Sequence, residues 1–367
     1  MSNQAEIEEY FLHKRVELKS SFLTFCQYFH QLLYNRPFII SRPVGRESHF
    51  ITCSRELTKL GDLDNMFLYL KLPPGYGKST MCVFWVAWML AKYPSAEFIY
   101  TSYSIIVASK HTETIKMILE LKEYRDIFGI SIRRDASAKK YFKTNFNGVV
   151  YAAGTQGTIT GFNAGYAGSD EFSGALIIDD AHKPDEVYTE STRENVIKCF
   201  NETLTTRLRS DKVPILFIAQ PLHEADLAAY VCDKRDGRDW KVVAMPSFDE
   251  HDNPLYPEAF PYEMLCNIRD YNPVVWSAQH MLTPTPAGGS LFKPEYFPVL
   301  DEEPEMLVTF ITCDTAETDK TYNDFTVFSF WGLYYLENNG RKSDTICLHL
   351  IDCEDFHAEP KDLEGRF

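Results

Sequence analysis

Residues 66–80 read MFLYLKLPPGYGKST, and the apolar run Met81–Ala91 follows them. The first seven residues predict a buried strand, and the residues from Lys78 to about Lys92 predict a long apolar helix. A loop rich in proline and glycine joins the two. Such a loop cradles phosphates with its backbone N–H groups and with the positive end of the helix. The stretch therefore predicts an α/β protein that binds a nucleotide.

The loop also predicts which residues contact ATP and Mg²⁺. We expect Lys78 to contact the β and γ oxygens and Ser79 to bind Mg²⁺. The strict pattern has glycine at the position of Leu72, so this loop is a variant, and a GKS triplet alone also occurs by chance. The strand and helix around it favour the nucleotide hypothesis. The residues predicted to bind the cofactor are Pro74, Gly75, Tyr76, Gly77, Lys78, Ser79 and Thr80.

A second apolar segment, Ala175–Ile178, ends in the carboxylates of Asp179 and Asp180. Two carboxylates at a buried strand end repel each other and need a cation, which a bound Mg²⁺ supplies. We expect Asp179 to hold the Mg²⁺ shell. We expect Asp180, as a catalytic residue together with Lys78, to orient or deprotonate the attacking water. Solvated acids at a strand end are the alternative, but the phosphate loop earlier in the chain favours ATP.

Strand and helix patterns alternate over residues 61–245, which we assign to the ATPase core. The other predicted segments are strands at Phe98–Ser102, Val149–Ala153 and Pro214–Ala219 and helices at Ile105–Leu121 and about Pro184–Leu208. Such alternation is typical of a parallel sheet covered by helices. Glu6 to about Phe38 predicts an amphipathic helix with many aromatic residues. We assign residues 1–60 to an N-terminal helical segment on the adenine side of the core.

The composition excludes several classes of protein. The chain has 367 residues, of which 45% are hydrophobic and 24% charged, as in ordinary globular proteins. The longest apolar run is shorter than the roughly 18–20 residues that span a bilayer. The polar start, Met1–Lys14, does not resemble a signal peptide. The nine cysteines occur singly, which fits a reduced, cytosolic compartment and no structural zinc.

The net charge of −15 is unevenly distributed. Residues 301–367 contain 16 Asp and Glu against 5 Lys and Arg, a net charge of −11. The other 300 residues contain 36 acids and 32 bases, a net charge of −4. The main body is therefore close to balanced, and a local basic groove for nucleic acid is compatible with it.

The chain changes character after the predicted core. Residues 246–304 are rich in proline and predict an irregular linker layer. A new β pattern starts at Leu307–Cys313 and continues at Phe325–Tyr335 and Ile346–Ile351. We assign residues 305–367 to the start of a second domain.

The ordered motifs resemble those of the large subunit of tailed-phage terminases. Together they cover roughly Phe22 to Gly332, and the ordered set is more specific than any one motif. The motifs are LPPGYGKS, the glycine-rich turn Gly154–Gly161, LIIDDAHKPDE at Leu176–Glu186, Thr206 with Arg207, the run Ile215–Leu227, Trp240, Pro246, Pro257–Phe260, Gln279 and Gly289–Phe292.

The resemblance implies a fold, a function and partners. The fold is a RecA-like P-loop ATPase core with a mainly parallel sheet, followed by the start of a ribonuclease-H-like nuclease domain. The function is an ATP-driven motor that packages double-stranded DNA into a procapsid. Its partners are the portal protein, on which it forms a homo-oligomeric ring, and a small terminase subunit that helps to select viral DNA. The implied location is the host cytoplasm and, transiently, the procapsid, with no membrane.

Three further positions follow from the resemblance and from chain position. Gln220 follows a strand whose end faces the nucleotide, so we predict that this catalytic residue senses the γ-phosphate. His223 is predicted to have a structural or coupling role. Gly75 and Tyr76 replace an Arg-His pair of related loops, so another cation is needed. Arg207 and Arg209 are candidates, from the same chain or a neighbouring subunit, and a solvated basic helix end is the alternative.

The run Thr309–Asp314 resembles the first strand of the terminase nuclease, whose leading Asp binds a catalytic metal. We therefore predict Asp314 as a ligand of Mg²⁺ or Mn²⁺, with a simple strand-end Asp as the equal alternative. Two-metal sites need several carboxylates, and the family places its others downstream. The acids available here, which do not align with those, are Asp324, Asp352, Glu354 and Asp355. We expect this domain to be incomplete and the chain to be a poor nuclease.

Two other hypotheses remain. A helicase-like ATPase that remodels nucleic acid normally needs a second RecA-like lobe, which the sequence after Pro246 does not show. A remnant protein of a decayed prophage could bind ATP or portal without productive work, but the intact Lys78, Ser79, Asp179 and Asp180 argue against it.

Overall fold

The computed structural model describes residues 2–157, 159, 161–284, 297, 299–300, 302–314, 326–338 and 341–356. The chain forms two compact units, Met1–Phe292 and Lys293–Phe367. The predicted link Gly289–Phe292 and the candidate acid Asp324 lie outside the described residues. Among the helices that are described, none is long and apolar enough to cross a membrane.

Three helices precede the first strand: α1 (Ser2–Ser20), α2 (Phe22–Tyr34) and α3 (His49–Gly61). The single helix predicted from Glu6 to Phe38 is therefore two helices. The break occurs because Ser21 leaves the helical conformation and its hydroxyl accepts the N–H of Thr24, which caps α2.

Strands and helices alternate through the rest of the first unit, and an uncapped π-helical turn (Phe200–Leu204) and a 3-10 turn (Thr205–Arg207) follow α7. The strands are β1 (Phe67–Lys71), β2 (Glu97–Ser102), β3 (Ile132–Ala138), β4 (Tyr141–Thr144), β5 (Val149–Gly154), β6 (Gly174–Asp179), β7 (Ile215–Ala219) and β8 (Lys241–Ala244). The helices are α4 (Lys78–Lys92), α5 (Ile105–Glu120), α6 (Lys122–Phe128), α7 (Glu190–Cys199), α8 (Leu227–Cys232), α9 (Tyr262–Tyr271) and α10 (Pro273–Val275).

The eight strands form one sheet in the order β3-β4-β5-β2-β6-β7-β1-β8. β3 and β4 are antiparallel to their neighbours, and the other six strands are parallel. The predicted α/β fold with a mainly parallel sheet is confirmed. One strand, β7, lies between the phosphate-loop strand β1 and the acidic strand β6, as in a RecA-like core. The carboxyl ends of these three strands meet at one edge of the sheet.

Helix α4 is buried on nearly all sides, from Met81 to Ala91. The indole N–H groups of Trp85 and Trp88 donate to the carbonyls of Leu57 and Leu18, each at 2.9 Å. Both indole groups are buried and have the hydrogen-bond partner that a buried indole needs. The aromatic face of α4 therefore belongs to the core. The packing gives the N-terminus of α4, where Lys78 and Ser79 lie, a fixed position.

The phosphate loop turns through two glycines with positive φ, Gly75 at 83° and Gly77 at 75°. A Cβ atom on Gly75 would lie 2.6 Å from Cζ of Phe260. The ring of Tyr76 stacks on the same phenylalanine, with the centroids 4.7 Å apart. The loop therefore packs directly against Phe260. This contact explains why Gly-Tyr stands here, because a long side chain at position 75 would displace Phe260.

A buried histidine, His49, holds the loop from the other side. Its Nε2–H donates to the carbonyl of Tyr76 at 3.1 Å. Its Nδ1 therefore accepts the hydroxyl of Ser41 at 3.1 Å, and that hydroxyl oxygen accepts from Ser48 at 2.7 Å. Burial lowers the pKa of His49 to about 3, so the ring is neutral at pH 7.

Part of the stretch predicted to be an irregular linker is folded. Helix α9 follows Pro261, and α10 has Pro273 at its first position. Proline favours helix starts because its missing N–H has no partner there, so these prolines begin helices instead of preventing them. The side chains buried in this segment include Phe248, Leu265 and Trp276.

The second unit contains three antiparallel strands, β9 (Val308–Asp314), β10 (Thr326–Asn338) and β11 (Arg341–Phe356), in the order β11-β10-β9. Their positions agree with the β pattern of the sequence. Three consecutive antiparallel strands fit the predicted start of a ribonuclease-H-like domain, and that assignment remains a prediction.

Replacing His49 by Gln should make the free energy of unfolding depend less steeply on pH in the acidic range. Unfolded His49 takes up a proton near pH 6.5, whereas the folded ring takes it up only near pH 3. The free energy of unfolding should therefore fall as the pH falls through this window, by up to about 1.4 kcal/mol per pH unit from this residue. Urea titrations at several pH values measure it. His13→Gln, on the exposed face of α1, is the control, and parallel profiles for wild type and His49→Gln would contradict the assignment.

Candidate ATP site at the carboxyl edge of the sheet

The structure brings the predicted catalytic residues together at one edge of the sheet. Lys78 and Ser79 begin α4, Asp179 ends β6 and is followed by Asp180, and Gln220 follows β7. The parallel register places these strand ends side by side, since Lys71 pairs with Ala219 and Ile218 with Asp179. The structure thus brings these residues together, and their membership of an ATP site and the role of each remain predictions.

Asp179 connects four elements. It is 1% exposed, and its Oδ1 accepts the hydroxyl of Ser79 at 3.0 Å. Its Oδ2 accepts the hydroxyl of Tyr100 at 2.6 Å and lies 3.5 Å from Nε2 of His111. Burial raises the pKa of Asp179, and the two hydroxyl donors and the nearby Lys78 oppose that rise. A buried carboxylate with two hydroxyl donors is ready to exchange a donor for a cation.

Asp180 has a strained backbone, with φ at 50°, a region that a non-glycine residue rarely adopts. Its N–H donates to the carbonyl of Ile218 at 2.9 Å, and its carbonyl accepts the N–H of Tyr103 at 2.9 Å. These two bonds hold the strained residue between neighbouring strand ends. Burial raises the pKa of Asp180 to about 6, against the opposing effect of Lys78. A carboxylate with such a pKa is suited to accept a proton near neutral pH.

Lys78 contacts Gln220. Its ammonium donates to Oε1 of Gln220 and, at 3.4 Å, to the carbonyl of Pro73. Lys78 is only 6% exposed, so these acceptors replace the water that its charge would otherwise bind. Any phosphate bound by the loop competes with Gln220 for the same ammonium group.

A pocket of about 330 Å³ opens beside the phosphate loop. Gly75, Gly77 and Thr80 form its inner wall. Its other walls come from the N-terminal segment and from the segment before α9. They comprise His30, Arg36, Pro37, Phe38, Ile39, Phe50 and Tyr256. The sequence predicted an N-terminal contact to adenine without naming a residue, and these aromatic side chains are the candidates.

Sequence reasoning missed Tyr100, His111 and His49. Tyr100 lies inside a strand that is buried on both faces, where an aromatic residue is ordinary core. His111 lies within α5, eleven residues after Tyr100, and no motif marks it. Only the three-dimensional packing of β2 and α5 against β6 shows that both residues reach Asp179.

Arg207 and Arg209 lie at the other edge of the sheet. Arg209 shares a pocket with Glu97, the first residue of β2, whereas Ser102 at the end of β2 pairs with Asp179. The six-residue strand separates the two edges by about 17 Å. The carbonyl of Arg207 accepts the N–H of Ala164, which also lies at that far edge. Neither arginine can therefore supply the missing cation within its own chain. A contribution from a neighbouring subunit remains a prediction.

His223 has local partners in the turn before α8. Its Nδ1 accepts the N–H of Ala225 at 3.0 Å, and its own N–H donates to Asp226 at 3.2 Å. This geometry agrees with the predicted structural role.

In the second unit, Asp314 and Asp355 pair with Val327 from opposite sides. They lie on one face, two strand spacings or about 10 Å apart. No group of three His, Cys, Asp or Glu residues suited to a metal occurs in the described ranges. Asp314 as a metal ligand remains a prediction.

Comparisons with known proteins bear on the family. The model of the terminase large subunit, T4-like-virus type, N-terminal part, matches residues 69–297. No curated protein matches in sequence.

Several solved structures are similar at low identity. The large terminase of the thermophilic bacteriophage D6E with ATP-gamma-S is 14% identical with a TM-score of 0.42, covering 87% of this chain and 68% of that chain. The ATPase domain of the large terminase of Thermus phage P74-26 is 13% identical with a TM-score of 0.40, covering 70% and 98%. The Phi-28 gp11 DNA packaging motor is 11% identical with a TM-score of 0.33, covering 82% and 78%.

These TM-scores are too low to carry an argument, so the family assignment rests on the sequence model. That model spans more than half of the chain and includes the phosphate loop, the acidic pair and Gln220. The chain belongs to the terminase large-subunit family of the T4-like-virus type.

Proposed function

We propose that this chain is an ATP-hydrolysing motor that moves double-stranded viral DNA into a procapsid. One observation carries the proposal. Lys78, Ser79, Asp179, Asp180 and Gln220 meet at the carboxyl edge of a parallel sheet, an arrangement that supports ATP hydrolysis at this edge. Family membership supplies the DNA substrate and the packaging role. The procapsid portal, the small terminase subunit, a homo-oligomeric ring and the host cytoplasm belong to the same proposal.

The residues present fit a magnesium ion. The hydroxyl of Ser79 and the carboxylate of Asp179 are oxygen donors 3.0 Å apart, and Mg²⁺ takes few protein oxygens together with water and phosphate. Asp179 is buried, and among the residues that the structure describes it has no direct ammonium or guanidinium partner, which adds to the fit. When bound, Mg²⁺ would neutralise charge on the β- and γ-phosphates.

The chain's own residues then perform three tasks. The backbone of the loop and the N-terminus of α4 bind the phosphates. Lys78 leaves Gln220 and contacts the β and γ oxygens. Asp180 accepts a proton from the attacking water or orients it, and its raised pKa suits that role. The adenine occupies the aromatic pocket of Phe38, Phe50 and Tyr256 beside the loop.

Hydrogen bonds support a proposal for how ATP hydrolysis is coupled to movement of helix α8. Two residues after Asp180, Nε2 of His182 accepts the N–H of Leu227, the first residue of α8, at 3.0 Å. Two residues after Gln220, the N–H of Leu222 donates to Asp226, which caps the same helix. Both strand ends that face the nucleotide are thus hydrogen-bonded to the start of α8. A change at either end shifts this helix.

Lys78→Ala should abolish ATP turnover, because the phosphate charge loses its fixed cation. Asp180→Asn should retain ATP binding and stop hydrolysis, because the amide cannot accept the proton. Phosphate release and binding of a fluorescent ATP analogue measure the two properties separately. Asp185→Asn, an exposed acid five residues later, is the matched control. Wild-type turnover in Asp180→Asn would show that another group activates water.

Gln220→Ala should reduce DNA-stimulated turnover more than it reduces ATP affinity. The substitution removes the side-chain amide that hydrogen-bonds Lys78 and that we propose to sense the bound phosphate. The loop contacts that bind ATP remain. Turnover with and without duplex DNA, together with the dissociation constant for ATP, measures the difference. Gln156→Ala, at an exposed position near the same edge, serves as the control. Equal losses of affinity and of stimulated turnover would make Gln220 a simple binding residue.

We also propose that nuclease activity of this chain is weak. Two-metal cleavage needs carboxylates that bridge ions about 4 Å apart, whereas Asp314 and Asp355 flank Val327 across two strand spacings. Incubation of supercoiled plasmid with Mn²⁺ should show little cleavage above background. Robust cleavage that disappears in Asp314→Ala, and persists in the control Asp344→Ala, would overturn this proposal and establish Asp314 as a ligand.

A further inference from the structure

A basic hairpin ends the sheet at the side far from the phosphate-loop strand. Residues 131–144, which include β3 and β4, contain five Lys or Arg residues and one acid. The five are Arg133, Arg134, Lys139, Lys140 and Lys143. The chain as a whole carries a charge of −15, so this segment stands apart from the average.

A pocket of about 460 Å³ adjoins the hairpin over the amino ends of β2 and β5. Lys143 lines it from β4, and Arg209 lines it from the opposite wall. Tyr141 and Tyr166 add two hydroxyl groups to the walls, and Asn163 adds a side-chain amide. We call this the basic pocket. Its residues are those of an anion site, with charged groups and neutral donors facing one space.

The positive charge in this region is partly free. Arg133 pairs with Asp135, and Lys139 pairs with Glu113. By contrast, Lys140, Lys143 and Arg209 make no ion pair and donate no side-chain hydrogen bond to any residue that the structure describes. Cations without protein partners can contact an external anion without first breaking an ion pair.

One carboxylate, Glu97, also lines the basic pocket. Burial raises the pKa of Glu97, and Lys143 and Arg209 oppose that rise. Two cations therefore face one carboxylate, and the pocket remains positive at neutral pH. The carboxylate of Glu97 must weaken the binding of any anion. Replacing Glu97 by a neutral residue should therefore strengthen anion binding, whereas replacing a lysine should weaken it.

The floor beside the pocket is rigid. The rings of Tyr151 and Phe162 stack with centroids 3.7 Å apart, and Tyr141 lies 5.2 Å from Phe162. Gly165 turns with φ at 64°, at a place where a Cβ atom would lie 2.4 Å from Val213. A site already formed before binding loses little entropy when its ligand arrives.

The size of the basic surface favours an extended anion. Lys140 lies in the turn before β4, three positions before Lys143, so the chain spans about 10 Å between them. A single phosphate cannot reach both ends of that span, whereas consecutive phosphates of a nucleic-acid backbone can.

We propose that the basic pocket and the Lys140 end of the hairpin bind the phosphate backbone of duplex DNA. The inference rests on the proposed function and adds the surface through which this chain holds DNA. Backbone contacts carry no direct sequence information, which suits a motor that must accept every base pair it passes. The surface belongs to the outer strands of the sheet, away from the ATP site.

The test is the affinity for a short fluorescent duplex, titrated at several salt concentrations. The paired substitution Lys140→Gln with Lys143→Gln should weaken binding and reduce the slope of log affinity against log salt by about 1.8, because two phosphate contacts are lost. The matched control is Lys198→Gln with Lys241→Gln, two exposed lysines on α7 and β8. It removes the same charge and should leave the slope unchanged. Thermal melting confirms that each variant is folded.

Glu97→Gln is an independent test. It should strengthen duplex binding, because it removes the carboxylate that faces the basic pocket. Equal slopes for the hairpin pair and its control would overturn the proposal. So would a change in self-association of the hairpin pair without a change in DNA affinity, because the surface would then bind an acidic segment of a second copy. If the wild type hydrolyses ATP but binds no duplex, both this inference and the DNA part of the proposed function fail. Loss of ATP turnover in Lys78→Ala stands independently of these results.

Discussion

The hydrogen bonds to the Asp179 carboxylate hold the ATP site together. Burying a carboxylate is costly unless donors or cations surround it. Here the donors come from different elements, Ser79 on α4 and Tyr100 on β2, with His111 of α5 nearby. Each donor is placed by the apolar packing of its own element, as the buried length of α4 shows. The geometry of the phosphate loop therefore depends on the core, and a change deep in that core would be felt at the nucleotide.

The sequence was sufficient to predict much of the fold, and to name residues that the structure brings together, because the signals were local. The apolar run before Lys78, the helix to Lys92 and the carboxylates after β6 are each visible in a few residues. The helix predicted from Glu6 to Phe38 was wrong because one capping serine, Ser21, ends it. The β3–β4 hairpin was not predicted, since β3 is polar and has no buried residue, and β4 is only four residues long, with Phe142 and Thr144 buried. Contacts such as His111 with Asp179 join segments distant in sequence, which no local pattern contains.

The departure of the loop from related sequences has a packing explanation. Gly75 leaves room for Phe260, and Tyr76 stacks on it. His49 then fixes the carbonyl of Tyr76 from a neutral, buried ring. The loop is thus held between α3 and the segment before α9. These contacts fix the position of the loop, and the source of a second cation at the phosphates remains a prediction.

The charge at the phosphates and the proposed link to α8 both involve Lys78. Within this chain, Lys78 is the ammonium group that we propose to contact the phosphates, and in the structure it donates to Gln220. A phosphate bound by the loop would contact this same ammonium group, and the chain that follows Gln220 leads to the Asp226 cap of α8. The strand ends at Asp180 and Gln220 reach the same helix by separate hydrogen bonds. We therefore propose that a change at Lys78 reaches α8 through Gln220 and the Asp226 cap, a path of short hydrogen-bonded steps.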